Sequence, residues 1–204
     1  MTPPKDLEAE RELSVDIHRA ILLSQYIKNW GQPSQRTKSR HRDNLSVVEV
    51  YEFPPCKDEI YRIATIGISN QLNQNGKVID FEFLLCLPES LGGVESIIVV
   101  YYLLDIMAYS LRSEVHLKIG ATIPESVRAP KEWNTKAILF DEARGEPEDM
   151  SCLSIGQKTI NLFWLVPLTE SERKYIKDCG LKAFDNVVQE SDWSLIDVNR
   201  ESII

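Results

Sequence analysis

Thr159-Ile160-Asn161-Leu162-Phe163-Trp164-Leu165-Val166, closed by Pro167, is a nearly continuous apolar run, and no other stretch constrains the fold as much. A strand with one face in water alternates apolar and polar residues, whereas a run apolar at almost every position needs cover on both faces. Its length and its β-branched and aromatic content suit a central strand. Pro167, without an N–H to donate, is read as its end.

Other segments supply neighbours for that strand. Leu45-Ser46-Val47-Val48-Glu49-Val50-Tyr51, Tyr61-Arg62-Ile63-Ala64-Thr65-Ile66 and the run from Val78 to Leu87 read as three strands. Pro54 and Pro55 punctuate the first connection and Asn73, Asn75 and Gly76 the second, and connections this short favour antiparallel pairing. Val115-His116-Leu117-Lys118-Ile119-Gly120, Lys136-Ala137-Ile138-Leu139-Phe140 and Trp193-Ser194-Leu195-Ile196-Asp197-Val198 read as further strands, and residues 142–149 as an exposed acidic loop.

Helical periodicity fills the gaps. Leu13, Ile17, Ala20, Ile21, Ser24 and Ile27 recur at three- and four-residue steps, predicting a docking helix over residues 6–30 with this stripe inward. Gly31 and Pro33 stop it. A helix over residues 94–112 is apolar enough to be largely buried, and Asp105 near its middle argues against a membrane span. Thr169 with Glu172 three positions later is a capping box opening a helix that ends at Gly180, and residues 181–190 form another. Interspersed helices and strands predict an α/β (α+β) fold: a mixed, largely antiparallel central sheet flanked by helices. Residues 1–44 are read as an N-terminal helix and basic loop, and residues 45–204 as one compact domain.

A chain of 204 residues buries about 70% of its unfolded surface, enough for a core without disulfide or metal staples. A net charge of -8 argues against an unaided nucleic-acid binder and favours a basic protein partner. Arg36, Lys38, Arg40, His41 and Arg42 are the one basic cluster; with Gly31, Pro33, Ser34 and Ser39 around them and no aromatic residue among them, they read as a solvated loop. Cys56, Cys86, Cys152 and Cys179 are dispersed, without zinc-ligand spacing, and read as small hydrophobes of a reducing compartment. The start, Met1-Thr2-Pro3-Pro4-Lys5-Asp6-Leu7-Glu8, has no apolar secretory core, so a cytoplasmic, membrane-free location is expected.

Catalytic chemistry finds little purchase. Gly92-Gly93 stands alone, with no phosphate-cradling pattern around it. His18 lies among charged helix neighbours, His41 in the basic loop and His116 at a strand start, and none accompanies a nucleophile elbow. Glu82 is the polar anomaly, interrupting Phe81-Glu82-Phe83-Leu84-Leu85. Three readings stand for it: it faces solvent, it pairs with Arg200, or it belongs to a functional site.

Five pieces then fall in order from Val47 to the C-terminus: Tyr61-x-x-x-Thr65-x-Gly67-Ile68-Ser69; Glu82 through Pro88; Gly120-Ala121-Thr122-Ile123-Pro124; Phe163-Trp164-Leu165-Val166-Pro167-Leu168-Thr169-x-x-Glu172 with Gly180; and Asp197-x-x-Arg200-x-Ser202. The ordered set resembles the suppressor-of-fused domain family, its bacterial single-domain type in particular. Ala121 stands where the family pattern has histidine, and Asn70 follows Ser69 where an acidic residue is frequent. The resemblance implies a non-catalytic protein-binding module with no cofactor and no metal. The animal member clamps a peptide that adds as a strand, while bacterial members look like immunity proteins of polymorphic toxin systems, which implies another protein as partner, here a basic toxin domain. Tyr61, Thr65, Gly67, Ser69, Glu82, Pro88, Gly120, Thr122, Pro124, Pro167, Asp197 and Arg200 carry over as motif positions with structural or partner-binding roles. Two alternatives are kept: a hydrolase or small-ligand enzyme with a pocket near Glu82, Thr122 and Arg200, and a peptide binder acting by strand addition.

Overall fold

The structure, a computed structural model, describes residues 5–40, 47–73, 75–112 and 117–204. Its strands are β1 (Gln35–Arg40), β2 (Val47–Phe53), β3 (Ile60–Ile66), β4 (Phe81–Pro88), β5 (Thr122–Ile123), β6 (Ala137–Glu142), β7 (Cys152–Ile155) and β8 (Lys158–Leu168). Helices α1 (Lys5–Trp30), α2 (Ser96–Ser110), α3 (Glu148–Ser151), α4 (Glu170–Cys179) and α5 (Leu181–Gln189) complete the order. The strands make one sheet, β1-β2-β3-β4-β8-β6-β5, with β7 alongside β8. Among the described residues only β4 and β8 pair in parallel; every other ladder is antiparallel, as expected of short connections.

The apolar run in β8 is central and covered on both sides, because the pleat sends alternate residues to two cores. Phe81, Phe83, Leu85 and Leu87 of β4 join Ile63 and Leu165 beneath α2, which contributes Val99, Val100, Tyr102, Leu103, Ile106 and Met107. Leu84 and Cys86 point the other way, with Trp164, Val166 and Leu168, to meet α1, Ile176 of α4 and Phe184 of α5. Among the described residues no helix is long and apolar enough to cross a membrane.

Several expectations are corrected. Residues 35–40 are not a loop: β1 pairs with β2 from Gln35 opposite Glu52 to Arg40 opposite Val47. An edge strand with no apolar residue takes its pairing from its neighbour, so composition alone conceals it. The expected inward stripe of α1 is largely outward. Leu13, Ile17 and Ile21 are exposed, and Leu22, Tyr26 and Trp30 are the buried residues at four-residue spacing. Pro167 does not end β8, which runs on to Leu168; the proline sits opposite Ile138 next to the end of the ladder, where a missing N–H costs little.

Residues 193–198 form turns instead of a strand, because Val198 offers its carbonyl to the Asn134 and Thr135 amides at 3.0 and 3.1 Å. In the segment expected as a strand over residues 115–120, 115 and 116, and with them His116, lie outside the described residues. Residues 117–120 are irregular and turned, the Gly120 amide reaching the Phe140 carbonyl at 2.9 Å. His41 and Arg42 also fall outside the described part. Of the four cysteines only Cys86 is buried; the other three are exposed.

The stretch read as an exposed acidic loop holds α3 and turns one acid inward. Glu146 accepts 2.6 Å hydrogen bonds from Trp30 Nε1 and from Arg62 Nε, joining the end of α1 to β3. Arg62 also grips Asp58 at 2.7 and 3.0 Å, and its guanidinium lies 5.9 Å from the Trp30 ring centre. The hydrogen bonds from Arg62 hold the Asp58 carboxyl below its usual value, against the opposing effect of burial. A depressed folded-state value means that Asp58 contributes stability above its unfolded pKa of about 3.9 and loses it as pH falls through the folded value. Asp58→Asn is therefore expected to flatten the acid limb of a stability-against-pH curve from chemical denaturation; an unchanged limb would refute the linkage.

Candidate functional site

Strand β4 enters the sheet with Glu82 on the α1 side, and the carboxylate is fully buried. The first donors come from β3 and the turn after it. Thr65 Oγ1 donates to Glu82 Oε2 at 2.7 Å, and Ser69 Oγ to Oε1 at 2.7 Å. Three amides of the turn, Gly67, Ile68 and Ser69, add bonds of 2.8, 3.3 and 2.9 Å. A carboxylate has about four lone-pair positions, so these five donors fill it. Thr65 Oγ1 in turn accepts from the Phe83 amide at 2.8 Å, so the hydroxyl links β3 to β4 twice.

The turn can aim three amides at one point because Gly67 sits at φ 111°, open to glycine and strained for other residues. A Cβ there would lie 2.6 Å from the Val47 carbonyl oxygen. Gly67→Ala is expected to cost about 1–3 kcal/mol in urea unfolding; a neutral result would mean the turn relaxes without loss. Lys158 closes the cluster by donating to the Ser69 carbonyl, and burial lowers its pKa against the pull of Glu82 and Asp80. Tyr26 of α1 donates to the Thr65 carbonyl at 3.2 Å; burial first, then the Glu82 charge, raises its phenol well above the ordinary value.

Arg200 is not the partner of Glu82. It is 1% exposed and bound to Glu172, which is itself fully buried. Both terminal nitrogens of Arg200 reach the Glu172 carboxylate, and Nη2 also donates to the Pro167 carbonyl at 3.1 Å. The expected capping box is present: Glu172 accepts from the Thr169 amide at 2.9 Å, and the Glu172 amide reaches Thr169 Oγ1 at 3.3 Å. One oxygen of the same carboxylate accepts from the Ile203 amide at 3.1 Å. A single side chain thus starts α4 and anchors the C-terminal segment.

The remaining motif positions are dispersed. Tyr61 donates to Glu52 at 2.8 Å on the α2 side of the sheet; burial, then Glu52, pushes its phenol up to about 12. Pro88 ends β4 opposite Ile60, Thr122 of β5 pairs with Leu139 of β6, and Pro124 follows, exposed. Gly120 turns at φ 84°, and the Asp197 side chain accepts from the Asn199 amide at 2.9 Å. Glu82, Thr122 and Arg200 therefore do not converge. Strands β8 and β6 separate Glu82 from Thr122, and Glu82 and Arg200 bond to different groups. His18 is occupied too, its Nδ1 meeting Asn70 Oδ1 at 2.9 Å.

These features define a sheet layered between helices in which the carboxylates of Glu82 and Glu172 are engaged by the chain's own donors. The sequence profile of the suppressor of fused protein matches residues 41–201, and the chain belongs to that family. Solved structures share the fold. A suppressor of fused homolog from Neisseria gonorrhoeae superposes with a TM-score of 0.72 at 17% identity, over 92% of this chain and 97% of that one. The Sufu–Fu complex gives 0.66 at 16% identity, over 91% of both chains. Drosophila Suppressor of Fused gives 0.66 at 15%, over 93% of this chain and 50% of its own. Comparison with curated protein sequences finds no match.

Proposed function

We propose that this chain is a non-catalytic protein-binding module that neutralises a toxin by covering its working face. The observation that carries the reading is the engagement of Glu82 by five donors and of Glu172 by Arg200, which leaves neither motif carboxylate free for acid–base work. A solved structure of the same fold is a complex of Sufu with Fu, a precedent for binding another protein. The net charge of -8 favours a basic toxin, since opposite charge speeds encounter more than it strengthens the final contact. The test is co-expression with toxins encoded beside the gene. Stable co-purification and rescue of growth are expected; absence of both for every such toxin removes the proposal.

Peptide binding by strand addition is a second reading, favoured by one observation: among the described residues the sheet is open, with β1 and β5 at its two ends.

A further inference from the structure

We infer that two copies of this chain associate through α1, antiparallel, along an apolar seam on the outer side of that helix; the inference stands whether or not the chain neutralises a toxin. Leu22, Tyr26 and Trp30 fasten α1 to the sheet. On the opposite side Leu13, Ile17 and Ile21 are 61%, 48% and 41% exposed, Ala20 and Ser24 are exposed, and Ile27 is half-buried. Among the described residues no element covers this side of the helix. Leu13, Ile17, Ala20, Ser24 and Ile27 follow one another at steps of four, three, four and three residues. That is the 3.5-residue period by which a helix meets another helix along a straight seam, and an irregular protein surface imposes no such period.

Shape then selects a second copy, and its direction. In an antiparallel pair Leu13 of one helix faces Ser24 of the other and Ile17 faces Ala20, and the two-fold axis repeats both layers. Each bulky side chain fills the space beside a small one, so the axes approach toward the near end of the usual 8–10 Å. A parallel pair would set Ala20 on Ala20 and Ser24 on Ser24, leaving the middle of the seam thin.

Charge agrees. Residues 5–16 carry five acids against two cations, whereas residues 17–30 carry Arg19 and Lys28 and no acid. Antiparallel pairing lays each acidic half along the basic half of the other helix; parallel pairing would bring the two acidic halves together. Lys28 is placed for this, since its side chain is 65% exposed even while it reaches Asp149 at 3.2 Å. A lipid surface suits the stripe poorly, because a helix lying on a membrane is rich in cations along its polar face, and the first half of α1 is acidic.

Sedimentation velocity of the full chain, from about 1 to 300 µM, tests the inference. A species of 23.4 kDa should give way to one of twice that mass. Two heptads make a short seam, so a dissociation constant on the order of 10–100 µM is expected. Ala20→Glu puts an acid from each copy where the backbones come closest, and should weaken association roughly tenfold or more. The position is exposed and glutamate is a good helix former, so the urea midpoint should not move, and Ala20→Ser should leave the dimer nearly intact. Direction is read from spin labels on Gln32→Cys, just past α1, in a chain whose exposed Cys56, Cys152 and Cys179 are replaced by serine. At 1.5 Å per residue the labels should lie roughly 35–45 Å apart in an antiparallel pair and under about 20 Å in a parallel one. The short distance overturns the antiparallel arrangement. A monomer at every concentration, or a dimer indifferent to Ala20→Glu, overturns the seam itself. A monomer whose α1 amides exchange more slowly on phosphatidylglycerol vesicles gives that face to a lipid surface instead.

Discussion

Glu82→Ala should cost about 3–5 kcal/mol of unfolding free energy, the range for removing one partner from a buried, charge-assisted cluster. Its removal strands three backbone amides and two hydroxyls in a place with no exposure, each having lost its acceptor. Against the roughly 5–15 kcal/mol total of an ordinary domain, that is a large share. Urea denaturation at neutral pH, followed by tryptophan fluorescence, measures it. A double-mutant cycle decides the cause: Ser69→Ala should cost about 1 kcal/mol in the parent and little in the Glu82→Ala background. Additive losses would mean that the two residues act separately and that the cluster is no unit.

Arg200→Ala should produce a loss of similar size, again about 3–5 kcal/mol, because the buried Glu172 carboxylate loses its hydrogen-bonded partner. The second arm is more discriminating. Replacing both residues by methionine removes the stranded charge, so the double variant should be more stable than Arg200→Ala, yet remain below the parent by about 0.5–2 kcal/mol for the lost cap. Exchange of the Ile203 amide, which donates to Glu172, should quicken in both variants. If the double variant proves no better than the single one, the pair matters through packing and not through charge.

What could be read from residues alone follows the range of each interaction. The capping box lies within four consecutive residues, and Thr169 and Glu172 announce it without any knowledge of the fold. The buried β8 is legible because covering both faces removes alternation. Glu82 is visible as an anomaly, but its partners are not, because a search for a counter-charge points to Arg200 and the actual donors are a hydroxyl of β3 and the amides of a glycine turn. The run Thr65-x-Gly67-Ile68-Ser69 contains that cradle, although only the β3–β4 register brings it against Glu82. β1 is hidden because nothing apolar marks it. The rotation of α1 is hidden because its sequence offers two stripes, Leu13-Ile17-Ile21 and Leu22-Tyr26-Trp30, and the choice between them is made by Phe53 and Tyr51 in the sheet below.

The parallel joint between β4 and β8 has a consequence for how the chain is made. Strands β1 to β4 form a meander whose pairings are local, but Phe81 must wait for Asn161 to emerge before the sheet closes at its centre. Contacts between residues so distant in sequence raise the entropy lost at the folding barrier and slow the reaction. During synthesis on the ribosome the Phe81–Leu84 edge therefore stands bare while the next stretch of chain is translated, an interval in which a chaperone would find its substrate.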